Sequence, residues 1–277
     1  MAGLTVTQAA RLSFGPGQTP SDDTEDVSFL TELAALEGFE LDRDRLRTVL
    51  ANPYRVMGQR LVEELGEVPE VEVVVVSYAA PDAVVLQLSG PTLAELVPGH
   101  PSVLGVGDQG RSTVFSMLDV ACGYARRHGV RSILAFAFDQ AVLPYRAASD
   151  VPPMPSGDAA VALLLQMEDG IREDGCAVVW QGALSRATVA GALPSLLDRL
   201  DPRREMPVIA GADLPVDGRS LGDRTLRWQA SGGWPGTELL AEAATYFNAP
   251  TLGPVLLAEY DSYLCEAAVC RLAGSAR

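Results

Sequence analysis

Histidine is nearly missing from this sequence: His100 and His128 are the only two in 277 residues. Cysteine is little better represented, at Cys122, Cys176, Cys265 and Cys270, and no two of these form a CxxC pair. A zinc centre needs closely spaced thiolates and imidazoles, so the spacing excludes a metal site of that kind. Four scattered thiols in apolar surroundings read instead as small buried side chains in a reducing cytosol. No uninterrupted apolar run approaches the roughly 20 residues of a membrane helix, and the first residues lack the basic-then-apolar order of a secretion signal. Positive charge is scarce as well. With 21 basic against 36 acidic residues the net charge is −15, and Arg203-Arg204 is the only short basic cluster late in the chain. Nucleic acid and anionic membrane both reward clustered Lys and Arg, so neither is an expected partner. These absences predict a cytoplasmic protein with no metal and no cofactor.

Apolar material is plentiful: 48% of residues are hydrophobic, ample for a buried core in one large domain or two of ordinary size. Residues 15–26 (GPGQTPSDDTED) read as an exposed loop, with helical periodicity over 29–36 and 42–65. The run 71–76 (VEVVVV) is short, β-branched and bounded by Pro69 and Ala80-Pro81-Asp82, the pattern of a buried parallel strand. A short helix over 91–97 leads to a strand over 102–106, and the turn Gly107-Asp108-Gln109-Gly110 opens a helix over 111–127. In that helix Val114, Phe115, Leu118, Cys122 and Ala125 recur at three- and four-residue steps, and His128-Gly129 ends it. Strands follow over 133–138 and, past the Pro-rich 151–155, over 159–165.

The second half repeats this order. Strand 207–210 runs into Gly211-Ala212-Asp213, strand 226–230 into Ser231-Gly232-Gly233, then come a helix over 237–247 and strands over 255–260 and 266–272. Even the endings agree: Asp158-Ala159-Ala160-Val161 matches Glu266-Ala267-Ala268-Val269. Helix-flanked strands in this order imply a mostly parallel sheet with right-handed crossovers, closed by an antiparallel pair, in each of two pseudo-symmetric halves. The halves are expected at 1–170 and, shortened, 171–277, in one compact unit.

Two copies of this series, with SGDAAVALLLQ closing the first, VVVVSYAAPD as an early strand and GPVLLAEYDSYLCEAAVCRLAG as the final hairpin, resemble the thiolase-like superfamily, and ketoacyl synthase III within it, over roughly 55–277. The resemblance implies a five-layer α/β/α/β/α fold. It also implies a nucleophilic cysteine at the N-terminus of the first central helix, where the helix dipole favours the thiolate, together with His and Asn, or two His, from turns of the second half. The matching position here is Ser112, or Gln109 if the turn is aligned differently, and the turns 210–214 and 231–236 contain neither His nor Asn. The Cys-His-Asn set is therefore absent.

Two readings follow. In one, the protein is an acyltransferase acting on acyl-coenzyme A or acyl-carrier-protein thioesters in a biosynthetic pathway. Ser112 is then the acyl acceptor, and His100 or Asp213 is its base. Gln109, Gly110, Thr113, Gly232, Gly233 and Trp234 line the substrate in the Gly-rich turns, where a backbone can approach a ligand closely. In the other, Ser112 only caps the helix, and the chain is an inactive ketosynthase-like partner shaping a heterodimer with a fuller ketosynthase. Homodimer and heterodimer both remain open, with the sheet expected to continue across a two-fold near 133–138.

Overall fold

The computed structural model describes residues 3–17, 19–20, 27–29, 31–32, 35, 50–78, 81–82, 84, 89–107, 109–141, 155–168, 175–216, 220–249 and 253–275. Half of the expected helix 29–36, the first part of 42–65, most of the loop 15–26 and most of the Pro-rich 151–155 lie outside them.

The first half runs β1 (Gly3–Phe14), β2 (Thr19–Pro20), β3 (Leu50–Ala51), α1 (Tyr54–Leu65), β4 (Val73–Tyr78), α2 (Ser89–Ala94), β5 (Ser102–Gly107), a 3-10 turn (Gly110–Ser112), α3 (Thr113–His128), β6 (Ser132–Asp139) and β7 (Asp158–Glu168). The second runs β8 (Ala177–Gln181), α4 (Arg186–Leu200), β9 (Val208–Ala210), β10 (Leu226–Gln229), α5 (Glu238–Asn248), β11 (Val255–Asp261) and β12 (Glu266–Leu272).

Two five-stranded sheets result, in the orders β1-β7-β6-β4-β5 and β8-β12-β11-β9-β10. Strand for strand the orders correspond. In each, a central strand (β4 or β9) pairs parallel with two neighbours, and the remaining pairs are antiparallel. The helices α3 and α5 occupy equivalent crossovers.

Side-chain alternation builds the layers, because successive residues of a strand point to opposite faces. Val73, Val75, Ile133, Ala135, Val161 and Leu163 turn inward to a core shared with α3 and α5, which Val255, Leu257, Ala268 and Cys270 of the other sheet complete. Their neighbours Val74, Val76, Leu134, Phe136 and Leu164 turn outward to α1 and α2. Leu256, Ala258, Ala267 and Val269 likewise turn outward to α4. This is the expected α/β/α/β/α arrangement, with both central helices between the sheets.

Four features differ from the sequence reading. β1 was not expected: Gln8-Ala9-Ala10-Arg11 carries no β-branched residue, and a bulge between Val6 and Gln8 breaks the alternation. β8 and α4 were also missed. α4 holds Gly191 and Pro194, both helix-breaking signals, yet Val189, Leu193, Leu196 and Leu197 bury against the second sheet. Finally, β6 lies inside its sheet between β4 and β7, so it cannot continue the sheet outward. The edge strands of this sheet are β5 and β1.

Candidate functional site

Both central helices begin at the same end of the sandwich, where β6 and β11 finish. Period-two alternation decides what these strands present there. Inward positions of β11 are Val255, Leu257, Glu259 and Asp261, and those of β6 end on Asp139. Each strand thus delivers buried acid to the layer of the central helices, and each acid crosses to the helix of the opposite half. Asp139 accepts hydrogen bonds from the Gly236 N–H (3.0 Å) and the Thr237 hydroxyl (2.8 Å) at the entry of α5. Asp261 accepts one from the Arg111 N–H (2.9 Å) at the entry of α3, and two more from Tyr263 and Leu264. A carboxylate against the free N–H groups of a helix start is the favourable sense of the dipole.

Arg111 sits at the meeting point. A cation at a helix start opposes the dipole, so it needs acidic partners, and it has them. Its Nε lies 3.7 Å from Asp213, Nη2 donates to the Gly232 carbonyl at 3.4 Å, and the side chain is 6% exposed. Glu259 also faces it. Burial pushes the Glu259 carboxyl up to about 8, against the pull of Arg111 and the Tyr260 N–H. Burial likewise pushes Asp139 up to about 7, against Thr237, Gly236 and Arg111. Two glycines are shaped by these acids. A Cβ on Gly211 would fall inside the Glu259 carboxyl group, and one on Gly110, whose φ of +51° already favours glycine, would press on Asp261.

The remaining expected site residues divide around this cluster. Ser112 lies beside Arg111 with its residue 1% exposed. Its hydroxyl caps nothing, and it has no partner among the described residues. The expected role as a side-chain cap is therefore corrected: with φ −77° and ψ −12°, Ser112 is already helical and its hydroxyl does not reach the next turn. Thr113 is fully buried and donates to the Gly110 carbonyl (2.8 Å). Asp213 accepts from the Ser262 hydroxyl (2.9 Å) as well as facing Arg111. Gly232 donates its N–H to Glu238 (2.8 Å), and the Gly233 carbonyl accepts from Ser156. Gln109 and Trp234 point elsewhere, into two separate hollows.

His100 does not join the site. It is exposed and precedes β5, whereas Ser112 follows it, so six residues of strand at ~3.3 Å each separate them. The expectation that His100 is the base for Ser112 is corrected. His128, at the far end of a 16-residue helix, is equally remote. Sequence reasoning missed Arg111, Asp139, Glu259 and Asp261. The signal for them was an acid in each apolar strand, AFAFD and VLLAEYD, and an arginine where a helix begins.

No family model matches the sequence, and no curated protein does. The likeness lies in the fold. A tetronic acid condensing enzyme is similar at 19% identity and a TM-score of 0.57, over 98% of this chain and all of that one. An OleA variant from Xanthomonas campestris is similar at 11% identity and a TM-score of 0.60, over 99% of this chain and 98% of that one. The 3-oxoacyl-(acyl-carrier-protein) synthase III of Pseudomonas aeruginosa is similar at 12% identity and a TM-score of 0.58, over 99% of both. The fold is therefore thiolase-like, of the synthase III type, and the likeness covers 98–99% of the chain.

Proposed function

We propose that this chain serves a biosynthetic pathway using acyl-coenzyme A or acyl-carrier-protein thioesters, as a ketosynthase-like partner subunit that does not itself carry the acyl group. One observation supports this above the others: the donors that open the central helices are already taken by the chain's own carboxylates. Stabilising an oxyanion requires N–H groups free to meet developing charge. Here Asp261 holds the Arg111 N–H, Asp139 holds Gly236, and Glu238 holds Ser231 and Gly232. An incoming anion would also face these acids directly.

The surface fits a partner. β5 is an edge strand with Val103, Leu104 and Val106 half-buried. Beside it a hollow of about 730 Å³ is lined by Gln109, Val120, Trp180 and Leu264. Val120, Leu264 and nearby Tyr263 are exposed, at 39%, 38% and 59%. Unpaired edges invite pairing with another chain. A homodimer and a heterodimer with a fuller ketosynthase both satisfy this face.

One observation favours the second reading, acyl transfer through Ser112: its hydroxyl is left unpartnered beside a charged residue. Intact-mass spectrometry after incubation with acyl-coenzyme A and acyl-carrier-protein donors separates the two. The partner reading expects no adduct on the purified chain. An adduct on the wild type that vanishes in Ser112→Ala would overturn it, and the variant stays folded because Ser112 makes no cap to lose.

A further inference from the structure

The central helices have a second face, turned to the gap between the sheet edges. On α5 that gap holds a cavity of about 330 Å³, within the range of small-molecule sites. Its floor is the β1–β7 pair, where Ser13 faces Ala159 and Arg11 faces Val161. Its roof is the first turns of α5, where Ala241 leaves room that a larger residue would fill. Its sides are indoles. Of the three tryptophans in the chain, Trp228 and Trp234 both line this cavity, and neither is fully buried in a core.

Charge at the rim is unspent. Glu242, one helical turn beyond Glu238, forms no hydrogen bond or ion pair among the described residues, although it is half-buried. Arg11 forms none either and is exposed. Glu238 lies deeper, at 8% exposure. Its carboxylate is held by Ser231 and the Gly232 N–H, so its negative charge is fixed in the wall. The Trp234 Nε1–H, shielded from solvent, also lacks an acceptor among the described residues. Two acids outweigh one arginine in the lining, and indole faces attract cations.

We propose that this cavity binds a small organic ammonium compound with a flat or short-chain apolar body. Its cationic group lies against Glu242 and an indole face, and its apolar part rests over Ala159, Val161 and Ala241. This site adjoins the Arg111 cluster through Glu238 and Thr237, and it does not depend on whether Ser112 is acylated.

The test uses 2-phenylethylamine, with 3-phenylpropionate as the anionic counterpart, followed by tryptophan fluorescence and titration calorimetry on the full chain. The amine should bind in the millimolar range or tighter and perturb the fluorescence, and the carboxylate should bind at least tenfold more weakly. Glu242→Gln should weaken the amine by about tenfold, the effect of losing one charge-assisted contact. Ala241→Phe should abolish binding by filling the space, with circular dichroism confirming that α5 still forms. No binding of the amine to 10 mM, on the order of the weakest affinity worth calling a site, would overturn the proposal. So would equal binding of the carboxylate, or binding unaffected by Ala241→Phe.

Discussion

Arg111 links the entry of α3 to turns of the second half, and the acids around it set how the protein responds to pH. Glu259 and Asp139 ordinarily titrate near 4.5 and 3.8, and in the fold they titrate near 8 and 7. A raised carboxyl pKa means the folded state holds its proton more tightly. The stability from these groups is therefore present below their ordinary values and is lost as pH rises through the folded ones. The melting temperature should fall between pH 6 and pH 9, and in Glu259→Gln, which keeps the shape and removes the ionisation, that fall should be smaller. A steeper fall in Glu259→Gln would show that another group is responsible. Arg111→Met should cost about 3–5 kcal/mol in urea unfolding at pH 9, where Glu259 and Asp139 are ionised, because it strands buried carboxylates without their cation. Adding Glu259→Gln to it should recover part of that loss. None of this was legible as a cluster in the sequence. Arg111 and Asp261 are 150 positions apart, and only a three-dimensional crossover brings one to the other's N–H.

Among the elements, the strands with β-branched or apolar runs were readable: β4, β6, β9 and β11 were found within two residues at either end, and β12 at both ends. The helix at α3 was readable from its three- and four-residue steps. Its end was as well, since Gly129 adopts the left-handed conformation (φ +71°) and returns its N–H to Ala125. Its beginning was found within two residues, a 3-10 turn at Gly110–Ser112 preceding Thr113. The edge at β5 carries the prediction of this scale. If the exposed edge is an interface, Leu104→Lys should convert the assembled protein to monomer in light scattering, with circular dichroism checking the fold because this half-buried side chain also packs on the core. Assembly unaffected by both Leu104→Lys and Val120→Asp would place the contact elsewhere.

For the whole molecule, the two sheets share one core, and α3 packs on both, meeting β8 and β12 of the other half as well as its own sheet. Residues 1–170 expressed alone should therefore remain unfolded or aggregate. A soluble, cooperatively melting fragment would show instead that the halves are independent domains. The repeat itself was visible in one dimension, as the echo of DAAV in EAAV, because both strands face two layers of packing. What the repeat could not disclose is that its two copies exchange acids. That exchange has a consequence for anyone wishing to install a nucleophile here. Ser112→Cys alone supplies a thiol with no imidazole within reach and with neighbouring donors already engaged. Removing Asp261 or Glu259 to free them opens a void against Gly110 or Gly211, since each of those backbones is moulded to its acid. A Cys-His-Asn centre would thus demand several changes made together, each a loss when made singly, so stepwise selection from this sequence toward that set crosses a valley.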